Sequence, residues 1–398
     1  MIKNIEDAIF FAINKDSKNE SIKCIDVQNH YNFTNMLDSF YKVVSNSIPS
    51  KINVEDITVI CVTYDNFRIA KKKGFKTYYI YDLLDFTDNY YYFLRKIPSG
   101  HFYIVESVDN ITSDIIERLK KTLPKIAKIF LFHDSVIPRR YSGEDDVKFI
   151  NSLTSYNVET LQGNKSYHST PINSLINKLR SKKSTIKEIL EKPTMNSSNK
   201  AEYINTSKFK LSDVDITEPI ITTHLNLIKD LNIKIRQYLG LVDVLDEYKP
   251  NIGEYIVAHG FSCCNVDGKE VCLPVGYRIK VKDIKSSVNK DNNYYIVYFD
   301  YEYPTGEISE ANIKISKTYI EYLIEGTTNL THDPNSYNYF FGYVISAYHS
   351  INNRYNKATI IYDYTLSMDR RDLYTCLIPV VDEVRLFFSL DKKIEIEE

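Results

Sequence analysis

Apolar residues along the chain fall into short unbroken runs and longer stretches of helical spacing, and the two kinds alternate. Residues 5–14 form a first short helical pattern. Ser21 to Val27 reads as a strand, followed by a helix through Met36 to Val44 whose apolar positions recur at helical spacing. Ile57 to Thr63 is a mostly apolar run of strand length, Asp65 to Lys73 is helical, and Thr77 to Leu84 holds a further short apolar stretch. Phe102 to Val105 and Ile126 to Phe132 have the character of strands covered on both faces. Between them Ser113 to Thr122 is an amphipathic helix that stops short of Pro124. Strand and helix in this alternation predict a parallel sheet with helices on both faces.

From Ser181 to Ser212 the chain turns polar, rich in Lys, Ser and Asn, with Pro193 as its one proline, which predicts a linker. An apolar run at Pro219 to Thr223 and a helix around Leu225 to Leu239 follow. Ile252 to Tyr303 then breaks into short alternating strands punctuated by Gly253, Gly260, Gly268 and Gly276, the pattern of a small antiparallel barrel. Past turn residues at Thr331 to Asn335, Phe340 to Tyr348 and Ala358 to Asp363 are strand-like, Arg370 to Leu377 is helical, and Glu383 to Ser389 is a final strand. There is no internal repeat and no heptad pattern.

Composition narrows the function classes. A chain of 398 residues has room for two or three domains, and 43% hydrophobic with 26% charged residues is a globular balance. Fifty Lys and Arg against 52 Asp and Glu exclude a uniformly basic coat, so any polyanion site must be a local groove. The 12 glycines are widely spread, the nearest two being Gly253 and Gly260, which rules out GxGxxG and GxxxxGK. Six scattered cysteines and charges within MIKNIEDAIFFAINKD point to a reducing, cytoplasmic compartment. No apolar run approaches the ~20 residues of a membrane-spanning helix, so no membrane partner is expected. Heavy use of Asn, Ile, Lys and Tyr, with 33 Tyr and no Trp, is the habit of an AT-rich genome such as many phages carry. His259, Cys263, Cys264 and Cys272 raise the question of zinc, but they lack the paired Cys-x₂₋₄-Cys spacing of structural sites. Buried small hydrophobes account for the thiols more simply, and neither metal nor cofactor is expected.

The order YVISAYHSINNRYNKATIIYD followed by LYTCLIPVVDEVRLFF resembles the last two motifs of superfamily 1 helicases of the RecD and Dda type. IGEYIVAHGFSCCNVDGKEVCLPVGYRIKVKDI is similar to the SH3-like barrel inserted in their second motor domain. HFYIVESVDNITSDIIERLKKTLPKIAKIFLFHDSVIPRR resembles the Walker B strand, its helix and the strand after it. The resemblance spans nearly the whole chain. It implies an α/β fold of two RecA-like P-loop-NTPase-type domains with parallel sheets, plus the SH3-like β-barrel. The boundaries it implies are a first domain at 1–182, a linker at 183–212, a second domain at 213–250 and 336–398, and the barrel at 251–335.

Set against that family, the positions that carry its chemistry are altered. In IKCIDVQNHYNFTNML, Phe33 stands where the phosphate-binding lysine falls, and Thr34 alone matches the hydroxyl; no glycine remains to let backbone N–H groups converge on phosphate. Glu106 and Ser107 replace the Walker B acids. Asp134 is kept, but Ile137 stands near the place of the phosphate-sensing glutamine. Lys165 is the nearest match to the first arginine, and Pro379 follows Ile378 where the final arginine finger belongs. Glu106 with Asp134, at neighbouring strand ends, reads as inherited geometry without chemistry. The resemblance therefore implies a helicase-like protein that is not an enzyme, acting as a nucleic-acid-binding or scaffolding subunit of a phage or viral replication, recombination or transcription assembly. The alternative is a protein-interaction, structural or inhibitory module with no nucleic-acid binding. An active ATP-dependent helicase is a third reading. Protein partners are expected in either of the first two.

Residues implied to face single-stranded nucleic acid are Thr63 and Tyr64, Thr222, Thr223 and His224, and Tyr348 and His349, with Arg139 and Arg140 as a polyanion contact. In a chain this rich in tyrosine, each aromatic also reads as a core or rim residue. Lys71, Lys72, Lys73 and Lys76 read as the solvated end of a helix.

Overall fold

The computed structural model describes residues 5–14, 22–26, 33–47, 52–86, 92–94, 100–106, 113–123, 127–134, 155–157, 168–181, 184–191, 201–242, 249–258, 262–273, 276–287, 294–303, 306–316, 337, 339–351, 353–366 and 368–397. The chain divides into two compact units, Met1–Tyr167 and His168–Glu398.

In the first unit, strands β1 (Ile22–Asp26), β2 (Ile57–Cys61), β3 (Lys76–Tyr79), β4 (Phe102–Val105), β5 (Lys128–His133) and β6 (Ser155–Asn157) form one parallel sheet in the order β3-β2-β4-β5-β1-β6. The central strands β2 and β4 are buried at every position, which is why their sequences show no alternation. Helices α1 (Ile5–Asn14), α2 (Phe33–Ser47), α3 (Tyr64–Lys72) and α4 (Ser113–Thr122) complete the expected alternation. One stripe of α2, with Met36, Leu37, Phe40, Val43 and Val44, is buried, and Phe40 meets Phe130 of β5 edge-on at 4.9 Å. Lys71 and Lys72 lie exposed in the last turn of α3, as a solvated helix end would.

The second unit opens with helix α5 (Thr170–Ser181), which packs on elements near the C-terminus. The domain boundary therefore falls before this helix rather than after residue 182. The polar stretch 183–212 is also built differently from a linker. It holds a helical turn at Ile186–Glu191 with Ile189 and Leu190 buried, strand β7 (Ala201–Asn205), and a short strand at Lys208–Lys210 paired with Glu395–Glu397. Strand β7 is an edge strand with no fully buried residue, and a polar sequence suits that position.

Strand β8 (Ile220–Thr222) and helix α6 (Leu225–Tyr238) precede a run of antiparallel strands: β9 (Tyr255–Ala258), β10 (Ser262–Val266), β11 (Lys269–Leu273), β12 (Arg278–Lys280), β13 (Asp283–Ser286), β14 (Tyr294–Glu302), β15 (Ile308–Ser316) and β16 (Tyr339–Phe341). They form a three-stranded sheet, β12-β9-β16, and a five-stranded sheet, β11-β10-β15-β14-β13. The insertion runs past residue 335, since Phe341 of β16 pairs with Ile256 of β9. Strands β17 (Val344–Ser346), β18 (Tyr355–Asp363) and β19 (Val380–Ser389), with helices α7 (Ala347–Ser350) and α8 (Arg370–Leu377), return to a second parallel sheet in the order β17-β8-β18-β19-β7. The whole is a mixed α/β protein with parallel sheets.

Two contacts seat the insertion on this sheet. Arg236 of α6 is fully buried; it donates to Glu254 (Nε–Oε1 2.8 Å) and to the carbonyls of Lys249 and Leu241, and its guanidinium lies 3.9 Å from the centre of the Phe341 ring. Gly276 forms the other. It has φ of +81°, and a Cβ there would come within 2.1 Å of the His349 carbonyl oxygen, while Asn353 Nδ2 donates to the carbonyls of both residues. Gly276→Ala is expected to cost the second unit about 1–3 kcal/mol, from left-handed backbone strain together with backbone displacement. A urea titration of the full chain measures it, and an unchanged midpoint would contradict the close approach.

Candidate functional site

In parallel α/β sheets, ligands collect at the carboxyl ends of the strands. In the first unit the described residues of that edge include a carboxylate held by the neighbouring backbone. Glu106, the residue after β4, is 4% exposed. Its Oε2 accepts from Val62 N (2.9 Å) and Thr63 N (3.2 Å), and its Oε1 accepts from Thr63 Oγ1 (3.2 Å) and Asn66 Nδ2 (2.8 Å). Thr63 is the N-cap of α3 but makes no capping bond with its own side chain, and a carboxylate from the neighbouring strand holds the backbone leading into the helix and the Asn66 side chain of its first turn. Burial pushes the Cys61 thiol well up, and the Glu106 charge adds to it.

The expected nucleic-acid contact at Thr63 is thus corrected: its side chain is buried against Glu106 rather than facing a groove. Phe33 begins α2 as a buried core residue, Thr34 beside it is half-buried, and Asp134, just past β5, is buried. Ser107, Arg139, Arg140, Lys165 and the side chain of Tyr64 lie outside the described residues.

In the second unit the strand ends bring several of the expected residues together. Thr222 ends β8, and its hydroxyl accepts from His224 N at 3.4 Å. His224 caps α6, its Nδ1 accepting from Leu227 N at 3.4 Å, and burial lowers its pKa against the opposing pull of Asp363. Ser346 ends β17 and caps α7. Asp369 caps α8 by accepting from Arg371 N and Asp372 N, while Asp372 accepts from Asp369 N in return. Asp372 is also where the separate elements meet. The Tyr348 hydroxyl donates to its Oδ1 at 3.4 Å, and the Thr223 hydroxyl bonds to the same carboxylate. Burial raises the Asp372 pKa, with the nearby Asp369 charge adding to it and the hydrogen bonds opposing it. Burial and the Asp372 charge likewise push the Tyr348 hydroxyl up.

The cluster of Thr223, Tyr348 and Asp372 is a polar floor at the strand ends. Tyr364, 48% exposed, follows Asp363 at the end of β18, and Leu225, 41% exposed, opens α6, so both stand at the same edge of the sheet. Two expected residues fall elsewhere. Thr222 is fully buried, and His349 is 2% exposed, its ring 5.5 Å from Phe340; neither presents a side chain to a groove, which corrects that expectation. Pro379 is buried after α8, where its carbonyl accepts from Tyr355 N. Sequence reasoning missed Asp372, although the spacing Asp369-x-x-Asp372 ahead of an apolar helix is a capping signal. Among the described residues no group of His, Cys, Asp or Glu could hold a metal ion, and no helix is long and apolar enough to cross a membrane.

No protein-family model matches the chain, and no curated protein does. Similar solved structures include the Pif1 helicase from Bacteroides bound to single-stranded DNA, with 12% identity, 98% of this chain and 92% of that chain covered, and a TM-score of 0.49. The Bacteroides protein in complex with ADP-AlF3 and single-stranded DNA has 11% identity, coverage of 97% and 92%, and a TM-score of 0.48. Pif1 from Candida albicans has 10% identity, coverage of 97% and 94%, and a TM-score of 0.47.

Proposed function

We propose that the chain is a superfamily 1 helicase-like protein that does not turn over ATP, and that it serves as a nucleic-acid-binding or scaffolding subunit of a phage or viral replication, recombination or transcription assembly. Its two parallel sheets stand for the RecA-like domains of that family and its antiparallel insertion for the SH3-like barrel. The observation that carries the loss of turnover is the Glu106 carboxylate. Val62, Thr63 and Asn66, at and just before the start of α3, send four hydrogen bonds to it, so it serves to anchor that turn where a motor needs an acid for magnesium and water. The absence of any glycine before Gly74 supports the same reading, because no glycine-rich phosphate loop follows β1.

Nucleic acid meets the chain at the strand ends of the second unit, over Thr223 and Tyr348, with Tyr364 as the exposed ring. Purified protein is expected to hydrolyse ATP no faster than buffer, with or without single-stranded DNA. DNA-stimulated turnover would overturn the reading. One observation favours the second reading, a protein-interaction module without nucleic-acid binding: Lys42, Lys73, Lys208, Lys282, Lys357 and Arg385 are each paired with a carboxylate, which leaves less free positive surface. A salt titration of single-strand affinity separates the two, since phosphate contacts give a steep loss with salt and the interaction module gives no binding at any salt.

A further inference from the structure

Strands β14 and β15 run side by side along their whole length, with Tyr298 directly opposite Asn312 near the middle. Their buried side chains alternate with others that point away from the core of the insertion. The outward face of an antiparallel sheet is ordinarily polar. This one carries Tyr294, Ile296 and Tyr298 along β14, and Ile308 on β15 is 64% exposed. Its charges are sorted by end. Two residues to one side of Tyr298, Ile296 sits between Lys285 of β13 and Lys314 of β15. Both lysines are exposed, and their ammonium groups lie 4.5 and 5.3 Å from the centres of the Tyr298 and Tyr294 rings. Two residues to the other side, Asp300 is set directly opposite Glu310, a like-charge pair that repels. Lys282 neutralises Asp300 (Nζ–Oδ1 2.8 Å), and Lys285 reaches Asp283 only at 3.7 Å. Glu310 and Lys314 have no ion-pair partner among the described residues.

We propose that this face binds a second copy of the chain as a two-fold symmetric dimer. A two-fold axis in the plane of contact, crossing the strands at the Tyr298–Asn312 row, lays the sheet on its copy with the strand direction reversed. Lys314 and Glu310 stand two residues to either side of Asn312, so each Lys314 comes over Glu310 of the second copy and the ion pair forms twice. By the same operation Asp300 comes over Ile296 and the neighbouring Lys285 of the second copy. At the axis Tyr298 meets its own counterpart, and the two Asn312 amides exchange hydrogen bonds, each having both a donor and an acceptor. A foreign acidic or basic partner matches one end of this face and is repelled by the other; a copy matches both.

The extent of the face sets the strength. At about 3.4 Å per residue and about 4.8 Å between strands, the five strands cover roughly 500 Å² on each copy. The total of about 1,000 Å² is the lower limit for a specific interface, so the dimer is a weak one, with a Kd expected on the order of 10–100 μM. Half of its ion pairs join exposed groups, which makes association sensitive to salt. The dimer does not depend on whether the chain binds nucleic acid.

The test is sedimentation velocity of the full chain at low salt, from about tenfold below to about tenfold above that Kd range. Monomer is expected to give way to dimer as concentration rises, and high salt to push the transition upward. A chain that stays monomeric throughout overturns the proposal and leaves the face to a different protein. Lys314→Glu and Glu310→Lys, both at exposed positions, should each self-associate at least about tenfold more weakly, because each sets like charge against like across the axis. Mixing the two variants in equal amounts should restore the dimer, since one chain then brings acids and the other bases to both pairs. Recovery in the mixture also shows that the variants are folded. Either variant dimerising as strongly as the parent chain, or a mixture that stays monomeric, overturns the pairing.

Discussion

Arg236→Met is expected to lower the stability of the second unit by about 3–5 kcal/mol, the usual cost of leaving one member of a buried ion pair without its partner. Both side chains are withdrawn from water, at 0% and 1% exposed, and the carboxylate of Glu254 is held from three sides. Arg236 supplies Nε and Nη2, Tyr343 donates its hydroxyl to Oε1 at 3.0 Å, and Asn251 donates its backbone N–H to Oε2 at 2.6 Å. Removing the guanidinium leaves the charge with neutral donors only, and it also strips the donors from the carbonyls of Leu241 and Lys249. Methionine fills much of the volume against Phe341, so the loss reads electrostatics more than a cavity. Urea unfolding of the full chain should show the transition of the second unit moving to lower concentration. Adding Glu254→Leu should recover part of the loss, because the unpaired charge is then gone. A double variant no better than the single one would mean that the pair matters through shape alone.

That network shows where the sequence could be read and where it could not. The parallel strands were legible because a strand covered on both faces must be apolar throughout, as Ile57–Cys61 and Phe102–Val105 are. The insertion was legible from its short alternating runs and glycine punctuation. The segment 183–212 was misread because polarity there reflects an edge strand and surface turns, which composition cannot tell from a linker. Composition and element pattern do not single out Arg236 and Asn232. Their spacing held a signal, since Ile228, Asn232 and Arg236 follow one another at four-residue steps down the buried face of α6. Asn232 makes full use of that place: its amide donates to the carbonyls of Ile228 and Val344 and accepts from Tyr343 N and Val344 N. At the candidate site, the resemblance supplied Thr223 and Tyr348. The residue that joins them, Asp372, sits in a distant segment, and only the folded sheet brings it to them.

Glu106→Ala is expected to destabilise the first unit by about 3–5 kcal/mol, while ATP hydrolysis stays at the level of buffer before and after the change. Hydrogen bonds to a charged acceptor contribute about 1.5–3 kcal/mol each, and a buried donor left alone costs about 1–3 kcal/mol. Alanine would orphan the N–H groups of Val62 and Thr63 and the amide of Asn66 at once, and losses that share one carboxylate do not add in full. The carboxylate is also matched to the positive end of α3, worth a further ~0.3–1 kcal/mol. Glu106→Gln should be milder, about 1–2 kcal/mol, because one oxygen can still accept from Val62 and Thr63 while the new amide donates to the Thr63 hydroxyl and, once the Asn66 amide turns over, to its oxygen. An acid that orients water or magnesium predicts the reverse ordering: the glutamine variant would keep its stability and lose turnover. Thermal unfolding and an ATPase assay on the same two variants therefore decide whether this carboxylate is a helix cap or the remnant of a working motor.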